Sequence, residues 1–588
     1  MANKNKTISF DYDGVASDNV FEDGAVIITG RPEEDHDEIV ETLLPKKASA
    51  IYHFPEDEEV NDNNVDIKVG LWKAKTIKKI GITKHYEDSD DQISIIQELN
   101  PTVEVVKVSD GIPQEKMNFI IFTFDGSILP VAYKLEKEGN RVIVGMIDNK
   151  NDTLLPSEEK SKEESDSKKK RLSLYKGMID IFDADEVIKV AKRLKNKEEW
   201  FVLTDSNSNY KYTSKMAEMG FTQGIFPTEW DRSMEVNRND AKAFVKEHYP
   251  DVRVAEVKTF KTVEEGIQHL NESEDFWVLK SLGDSGETIV PDSEDIEMAR
   301  TQIISALEEM KSEYEQNGFI LEQKIQNMIE ITPEMIFMNG VPICSSIDIE
   351  NKGIGAGNVG VQTGCMQNLI VATDIDDKIN KIAFPEKVRE LAKKHTGVFV
   401  WDISLLIDKN GTMWYGEFCS NRLGWDSFTT ELAMACEDDS TTIATPFFSA
   451  LKVGKNPLKK KYGAGVRMLN IGRGGKMIAD GKVETCDESE LCSFLYEVKK
   501  DKKGEMVSTD VGFDFGVVVY ASDDIYEAVE ECYEYIDKVL FEGKYYRPKF
   551  DFLSHEYESA ILRRLSYIHG FIGNMEGSEL SEKSNSIY

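Results

Sequence analysis

Short apolar runs separated by polar, glycine-containing turns recur along the whole chain. The clearest case is Val398 to Asp426, VFVWDISLLIDKNGTMWYGEFCSNRLGWD. An apolar run from Val398 to Ile407 breaks at Asp408-Lys-Asn-Gly411, and a second run, Met413 to Phe418, returns, which is the pattern of a hairpin. Side chains alternate on a strand, so Glu417, Cys419 and Asn421 share a face that Asp402 on the partner strand reaches. Two carboxylates and an amide there form a hard-oxygen cluster suited to Mg²⁺ holding a nucleotide's phosphates. The same residues equally suit a solvated sheet face ending in a polar turn.

Upstream, the first hundred residues alternate strand and helix patterns. A strand at Ile8 to Phe10 runs into Asp11-Tyr-Asp13-Gly-Val15, and another, Ala25 to Ile28, closes on Thr29-Gly-Arg-Pro32. Trp72-Lys73 opens a helical pattern, and His85-Tyr-Glu87-Asp88-Ser-Asp90-Asp91 reads as an acidic turn before a further helix. Asn118 to Asp148 restarts the alternation. Asn149 to Arg171 has almost no apolar content and a dense mixture of charges, the composition of an exposed, flexible excursion. The α/β pattern resumes from Leu172 to about Pro227.

Further on, a helix from Asn239 carries Lys242, and an amphipathic helix spans Val263 to Leu270. The strand FWVLK ends at Lys280 against a Gly/Ser loop containing Ser285 and Gly286. Loop N–H groups and a strand-end lysine together hold phosphates, although a solvent-facing strand end has the same composition. Gly318 to Ile325 is a buried strand, with Glu330 and Glu334 shortly after. Pro333 to Asn339 and Val341 to Ile349 read as antiparallel strands around a tight turn. Lys352 to Met366, rich in glycine and including Thr363 and Gly364, is expected to be a loop too long and irregular for a hairpin, its backbone close to a ligand.

With 588 residues the chain has room for roughly three to five domains. A formal net charge of −36 argues against a nucleic-acid backbone or an anionic membrane as a bulk partner. No apolar run approaches the roughly 20 residues needed to cross a bilayer, and the start has no signal-peptide core. Seven cysteines without a CxxC pair fit reduced thiols, so a cytoplasmic protein is expected. Nothing in the sequence sets the oligomeric state.

The order of pieces in the first hundred residues resembles the haloacid dehalogenase (HAD) phosphohydrolases. That resemblance implies Asp11 as nucleophile, Asp13 as general acid/base, Thr29 and Lys73 steadying the phosphoryl group, and Glu87 with Asp88 joining Asp11 and Asp13 around Mg²⁺. No sizeable cap insertion separates these motifs, which implies an open site and a phosphorylated substrate of some bulk.

From roughly Asn118 to Phe552 the chain resembles the phosphoribosylamine–glycine ligase (GAR synthetase) family of the ATP-grasp superfamily. The resemblance is carried by AKAFVKEHYP, VEEGIQHL, FWVLKSLGDSGETIV, FILEQKI, SIDIENKGIGAGNVGVQTGCM, YGEFCSNRLGWD and a C-terminal YEAVEECYEYIDKVL–FEGKYYRP. It implies an α/β and α+β multidomain chain: HAD-like at 1–112, a Rossmann-like pre-ATP-grasp domain at 113–232 with the charged insertion near 149–171, an ATP-grasp domain at 233–452 and a small C-terminal domain at 453–588. Lys242, Lys280, Ser285 and Gly286 are implied to contact ATP phosphates, Glu322 to Ile325 with Lys324 the adenine, and Glu330 the ribose. Asp402, Glu417 and Asn421 would hold Mg²⁺ or Mn²⁺, with Arg422, Thr363 and Gly364 near the acceptor.

The implied activity is ATP-dependent joining of a small-molecule carboxylate to an amine through an acyl phosphate. Departures fall on the acceptor half: Phe122 to Ser127 replaces the family's glycine-rich GSGGREH loop, and EFCSN replaces EFN. Glycinamide ribonucleotide synthesis itself, and a nucleotide-binding scaffold without turnover, are the alternatives.

Overall fold

The computed structural model describes residues 8–17, 20–22, 24–44, 46–55, 65–109, 112–113, 116–147, 170–281, 288–291, 293, 295–326, 328–421, 423–424, 426–437, 440–554 and 560–568. The chain divides into two compact units, Met1–Met117 with Thr445–Pro457, and Asn118–Ala444 with Leu458–Tyr588.

The first unit is built on one sheet ordered β3-β2-β1-β4-β5-β6, from β1 (Ile8–Phe10), β2 (Val26–Thr29), β3 (Ala50–His53), β4 (Lys84–Glu87), β5 (Glu104–Ser109) and β6 (Ile112–Pro113). The first five strands are parallel and β6 closes the edge antiparallel. Apolar residues on both faces of β2 require cover on both sides. Phe10 and Ile27 pack with Ile39 and Leu43 of the His36–Leu43 helix, while Val26 and Ile28 pack with Ala74 and Ile77 of the Val65–Ile80 helix and Ile96 of the Asp90–Leu99 helix. Two expectations are corrected here. The helix expected to open at Trp72 begins at Val65, and His85 to Glu87 form a buried parallel strand rather than a turn, because flanking strands on both sides satisfy their backbone.

The second unit holds a five-stranded parallel sheet, β11-β10-β7-β8-β9, of β7 (Asn118–Thr123), β8 (Arg141–Met146), β9 (Ile181–Asp183), β10 (Trp200–Thr204) and β11 (Gln223–Gly224). A four-stranded antiparallel sheet orders β13 (Val257–Phe260), β16 (Phe319–Gln323), β14 (Trp277–Ser281) and β15 (Thr288–Ile289). The largest sheet runs β12-β21-β20-β17-β18-β19-β22-β26-β23, with β27 also paired to β22. Its strands are β12 (Val252–Arg253), β17 (Ile329–Met338), β18 (Val341–Gly355), β19 (Val359–Thr373), β20 (Val398–Ile407), β21 (Met413–Ser420), β22 (Tyr462–Asn470), β23 (Ser493–Leu495), β26 (Asp514–Ser522) and β27 (Lys544–Tyr545). A separate ribbon pairs β24 (Val498–Lys500) with β25 (Met506–Ser508).

The β20–β21 hairpin forms as its pattern predicts, with Gly411 at φ +76° in the turn. Its inner face is anchored by Trp401, whose indole N–H donates to Asp231 Oδ1 at 2.7 Å and whose ring packs among Trp230, Phe399 and Phe418. Asn339 and Gly340, both at positive φ, join β17 to β18 in the tight turn their types favour. The glycine-rich segment expected to be an irregular loop is instead the end of a hairpin: β18 and β19 pair as far out as Gly353–Gln362 and Gly355–Val359. Two register shifts absorb the irregular spacing, and Asn358 Oδ1, accepting from the Gly353 N–H at 2.7 Å, closes the turn. Among the described residues no helix is long and apolar enough to cross a membrane, and all seven cysteines are free thiols.

Candidate functional sites

Parallel sheets present ligands at the carboxyl ends of their strands, and in the first unit β1, β2 and β4 deliver Asp11, Thr29 and Glu87 there. Lys73, buried on the Val65–Ile80 helix, reaches between two of them: its Nζ lies 2.8 Å from Asp11 Oδ2 and 2.6 Å from Glu87 Oε2. Lys84, a neighbour in sequence, pairs instead with Glu104 at 3.3 Å. Behind Glu87, His85 Nε2 stands 3.3 Å from Oε2, and His85 Nδ1 stands 2.9 Å from Ser9 Oγ. The result is a buried chain Ser9–His85–Glu87–Lys73–Asp11.

Charge distribution follows from that burial. Burial pushes Asp11 well above the ordinary aspartate range; the Lys73 ammonium opposes this and the nearby Glu87 charge reinforces it. Burial also acts to raise Glu87, but Lys73 and His85 outweigh it and hold Glu87 below the usual glutamate range. His85 is lowered chiefly by burial. Lys73 thus stands between a carboxyl that burial penalises and a carboxylate that it stabilises. Among the described residues, three metal-ligand atoms come within 4.8 Å of one another at Asp11, Glu87 and Asp88. These are hard oxygen donors, and they fit Mg²⁺.

Asp13 sits farther out, side chain about half exposed, gripped by Arg31, whose Nη2 is 2.8 Å from Asp13 Oδ1 and whose Nη1 is 2.8 Å from Glu38 Oε1. The Arg31 N–H in turn donates to Thr29 Oγ1 at 3.1 Å. Gly14 has φ +63°, and a Cβ there would lie 2.1 Å from Asp88 Oδ2. Gly14→Ala is therefore expected to cost about 1–3 kcal/mol of strain and to displace Asp88. The check is loss of Mg²⁺-dependent thermal stabilisation while far-UV circular dichroism stays unchanged.

In the second unit, Lys242 on the Arg238–His248 helix and Lys280 on β14 meet at Glu322 on β16, with Nζ–Oε2 distances of 2.6 and 3.1 Å. Glu322 lies opposite Val278, so it faces the same way as Lys280 two residues on. Burial lowers Lys242 to about 8, partly offset by Glu322. Burial works to raise Glu322, but the two lysines hold it below the usual range. Lys324 turns away, donating to the Pro291 carbonyl.

On the large sheet, Glu330 accepts from Ser404 Oγ at 2.7 Å and from Lys352 at 3.0 Å, and Lys352 also lies 3.4 Å from Glu350. Thr363 Oγ1 donates to the Lys352 carbonyl at 2.9 Å, and Gly364 is exposed on β19. Asp402 lies directly opposite Cys419, with Glu417 exposed beyond a bulge. Burial, then the charges of Glu417 and Glu350, raise Asp402 to about 8. A cation would relieve that repulsion, so Asp402 and Glu417 fit a divalent ion in charge.

Asn421 is a correction: at φ +51° it is fully buried, its Oδ1 accepting from the Val400 N–H at 2.8 Å and its own N–H donating to the Val400 carbonyl at 2.9 Å. The left-handed backbone breaks the strand alternation, so Asn421 does not stand beside Glu417, and Cys419 takes the position across from Asp402. Ser285, Gly286 and Arg422 lie outside the described residues.

Sequence reasoning did not single out His85, Arg31, Lys352 or Glu350. A signal existed for the last two, since Ser346, Asp348, Glu350 and Lys352 alternate as polar residues through an otherwise apolar strand. No family model and no curated protein matches the chain. Among solved structures it is similar to phosphoribosylamine–glycine ligase from Thermotoga maritima, at 15% identity over 73% of this chain and 99% of that one, TM-score 0.49. It is similar also to biotin carboxylase from Campylobacter jejuni, at 14% identity over 73% and 93%, TM-score 0.47, and to L-amino acid ligase from Bacillus licheniformis, at 13% identity over 73% and 99%, TM-score 0.42.

Proposed function

We propose that the second unit is an ATP- and Mg²⁺-dependent carboxylate–amine ligase of the ATP-grasp type, and that the first unit is a phosphohydrolase of the HAD type. The observation that carries the ligase reading is the meeting of Lys242 and Lys280 at Glu322. Two ammonium groups from different elements are held ready by one carboxylate, and a nucleotide's phosphates take over as their partner.

In this reading the substrate carboxylate oxygen attacks the γ-phosphorus, the bond to the β,γ-bridging oxygen breaks, and ADP leaves. The amine nitrogen then attacks the acyl carbon, forming the C–N bond as phosphate departs. Lys242 and Lys280 neutralise charge gathering on the phosphates, and Glu417 with Asp402 would hold the metal ion. That ion, when bound, would supply positive charge to offset the charge on the phosphates. Lys352, fixed between Glu330 and Glu350, presents a further positive charge on the same sheet face.

In the first unit Asp11 is the nucleophile toward phosphorus, with Lys73 holding its carboxylate and Thr29 close by on β2. Asp13 protonates the leaving oxygen and then takes a proton from water, once Arg31 yields its hold on that carboxylate. Asp11, Glu87 and Asp88 would hold the ion that offsets repulsion between two anions. The scaffold reading keeps one specific observation in its favour, the withdrawal of Asn421 from the metal-facing side.

Lys280→Ala is expected to weaken ATP·Mg²⁺ binding by about 1.5–3 kcal/mol, roughly tenfold or more, because the lost contact is charge-assisted. A thermal-shift titration reads it, and unchanged nucleotide affinity rules the placement out. Glu417→Gln separates enzyme from scaffold: nucleotide-dependent ADP release disappears in the variant if turnover exists.

A further inference from the structure

Two polar residues lie deeper in the first unit than its reacting groups require. Side chains two residues apart on a strand share a face, so Ser9 sits below Asp11 on β1 and His85 below Glu87 on β4. Strand pairing sets one row across the sheet: Val26, Ser9, His85, Val105. The two ends of that row are apolar and join the core cluster of Ala74, Ile77 and Ile96. Only the two strands that carry the site's carboxylates are polar there, and Ser9 and His85 are both fully buried. Apolar residues in their place would cover the sheet without desolvation of polar groups, so packing does not account for the pair.

The contacts of this pair lead outward to the site. Ser9 Oγ is 2.9 Å from His85 Nδ1, and His85 Nε2 is 3.3 Å from Glu87 Oε2. A carboxylate oxygen only accepts, so Nε2 turns its hydrogen to Glu87, and in the neutral ring Nδ1 accepts from the Ser9 hydroxyl. Lys73 reaches the same Glu87 oxygen at 2.6 Å, but it is shared with Asp11 at 2.8 Å. Two donors thus hold Oε2, whereas Oε1 has the Ser89 N–H at 3.5 Å. The order Ser–His–Glu is that of a hydrolytic triad, yet Ser9 is closed off from any substrate.

We propose that His85, backed by Ser9, is the positioning residue of the first unit's metal site: it fixes the Glu87 carboxylate so that Oε1 faces a divalent cation beside Asp11 and Asp88. The inference rests on the phosphohydrolase reading for the presence of that ion. Mg²⁺ demands near-ideal octahedral geometry, so a carboxylate held in one orientation binds it better than one free to rotate. Loss of a partner that orients a metal ligand typically costs about 10–100-fold in metal affinity.

Isothermal titration of the full chain with Mg²⁺, without nucleotide, tests it, and the heat lost in Asp11→Asn identifies the first unit's share. His85→Asn keeps an amide near Ser9 but ends short of Glu87, and Mg²⁺ affinity is expected to fall about 10–100-fold. His85→Gln, whose amide extends as far as the imidazole Nε2, is expected to recover most of that loss. A purely structural role for His85 produces no such order between two amides. His85→Phe fills the space of the ring without a donor; it is expected to match His85→Asn and replaces it in the comparison if that variant misfolds. Ser9→Ala, which frees the ring to take the other tautomer, is expected to weaken Mg²⁺ binding by a smaller factor. Wild-type affinity in both His85→Asn and His85→Phe overturns the proposal, as does His85→Gln binding no more tightly than they do. So does a wild-type titration with no Mg²⁺ heat that Asp11→Asn removes. Aryl phosphate hydrolysis separates this inference from the reading beneath it. Hydrolysis with Mg²⁺ affinity indifferent to His85 overturns the positioning role and leaves the phosphohydrolase standing, whereas affinity that follows His85 in a chain without hydrolysis supports the role and removes the phosphohydrolase.

Discussion

Asp11→Asn is expected to abolish hydrolysis of an aryl phosphate, a fall of about three orders of magnitude or more in kcat/KM, while ATP affinity in the second unit stays as it is. On the proposed phosphohydrolase reading Asp11 is the covalent nucleophile, and its removal takes away the step that the other groups serve, so the loss approaches that of dismantling the whole set. The substitution is a near-isostere, and Lys73 keeps its 2.6 Å contact with Glu87, so the buried ammonium retains a partner and the fold survives. Steady-state assays on p-nitrophenyl phosphate with Mg²⁺ read the effect. Hydrolysis by the variant at the wild-type rate would falsify the role given to Asp11, and with it the use of Glu87 and Asp88 as its metal partners.

Arg547→Met is expected to cost about 3–5 kcal/mol of stability, the range for leaving one member of a buried ion pair alone. Arg547 and Asp551 are both fully buried, joined by Nε–Oδ2 and Nη2–Oδ2 contacts of 3.2 and 2.8 Å. The pair also pins the glycine-rich end of the β18–β19 hairpin: Arg547 Nη1 donates to the Gly353 carbonyl and Asn358 Oδ1, and Asp551 Oδ1 accepts from the Gly357 N–H. Without the guanidinium, Asp551 is a buried charge missing its partner and the Gly353 carbonyl loses a donor. Arg547→Lys is expected to recover little, because one ammonium does not reproduce the fork. Urea unfolding should show a lower midpoint with an unchanged slope. A change below about 1 kcal/mol would place the pair among weak surface bridges.

Local pattern determined much of this protein. Val398 to Phe418 folds as the hairpin its alternation and Asp408–Gly411 turn require, and Asn339-Gly340 makes the tight turn its residue types favour. The strand-end position of Asp11 was equally legible, since it depends on a few neighbouring residues.

What the sequence could not settle was which distant groups meet, and on which face a side chain ends. Lys73 is one of several lysines by composition and becomes the partner of Asp11 and Glu87 only through the phase of its helix against the sheet. Lys242 and Glu322 touch across eighty positions, and Glu431 reaches Ser346 because two glycines on a third strand admit its helix. Strict alternation puts Asn421 beside Glu417, and the two extra residues of EFCSN leave Cys419 as the alternative; the positive φ of Asn421 turns it to Val400 and leaves Cys419 across from Asp402. Hydrophobic period and turn chemistry are local and survive in the sequence. Convergence of charges depends on packing of elements far apart in the chain, and only the tertiary structure decides it.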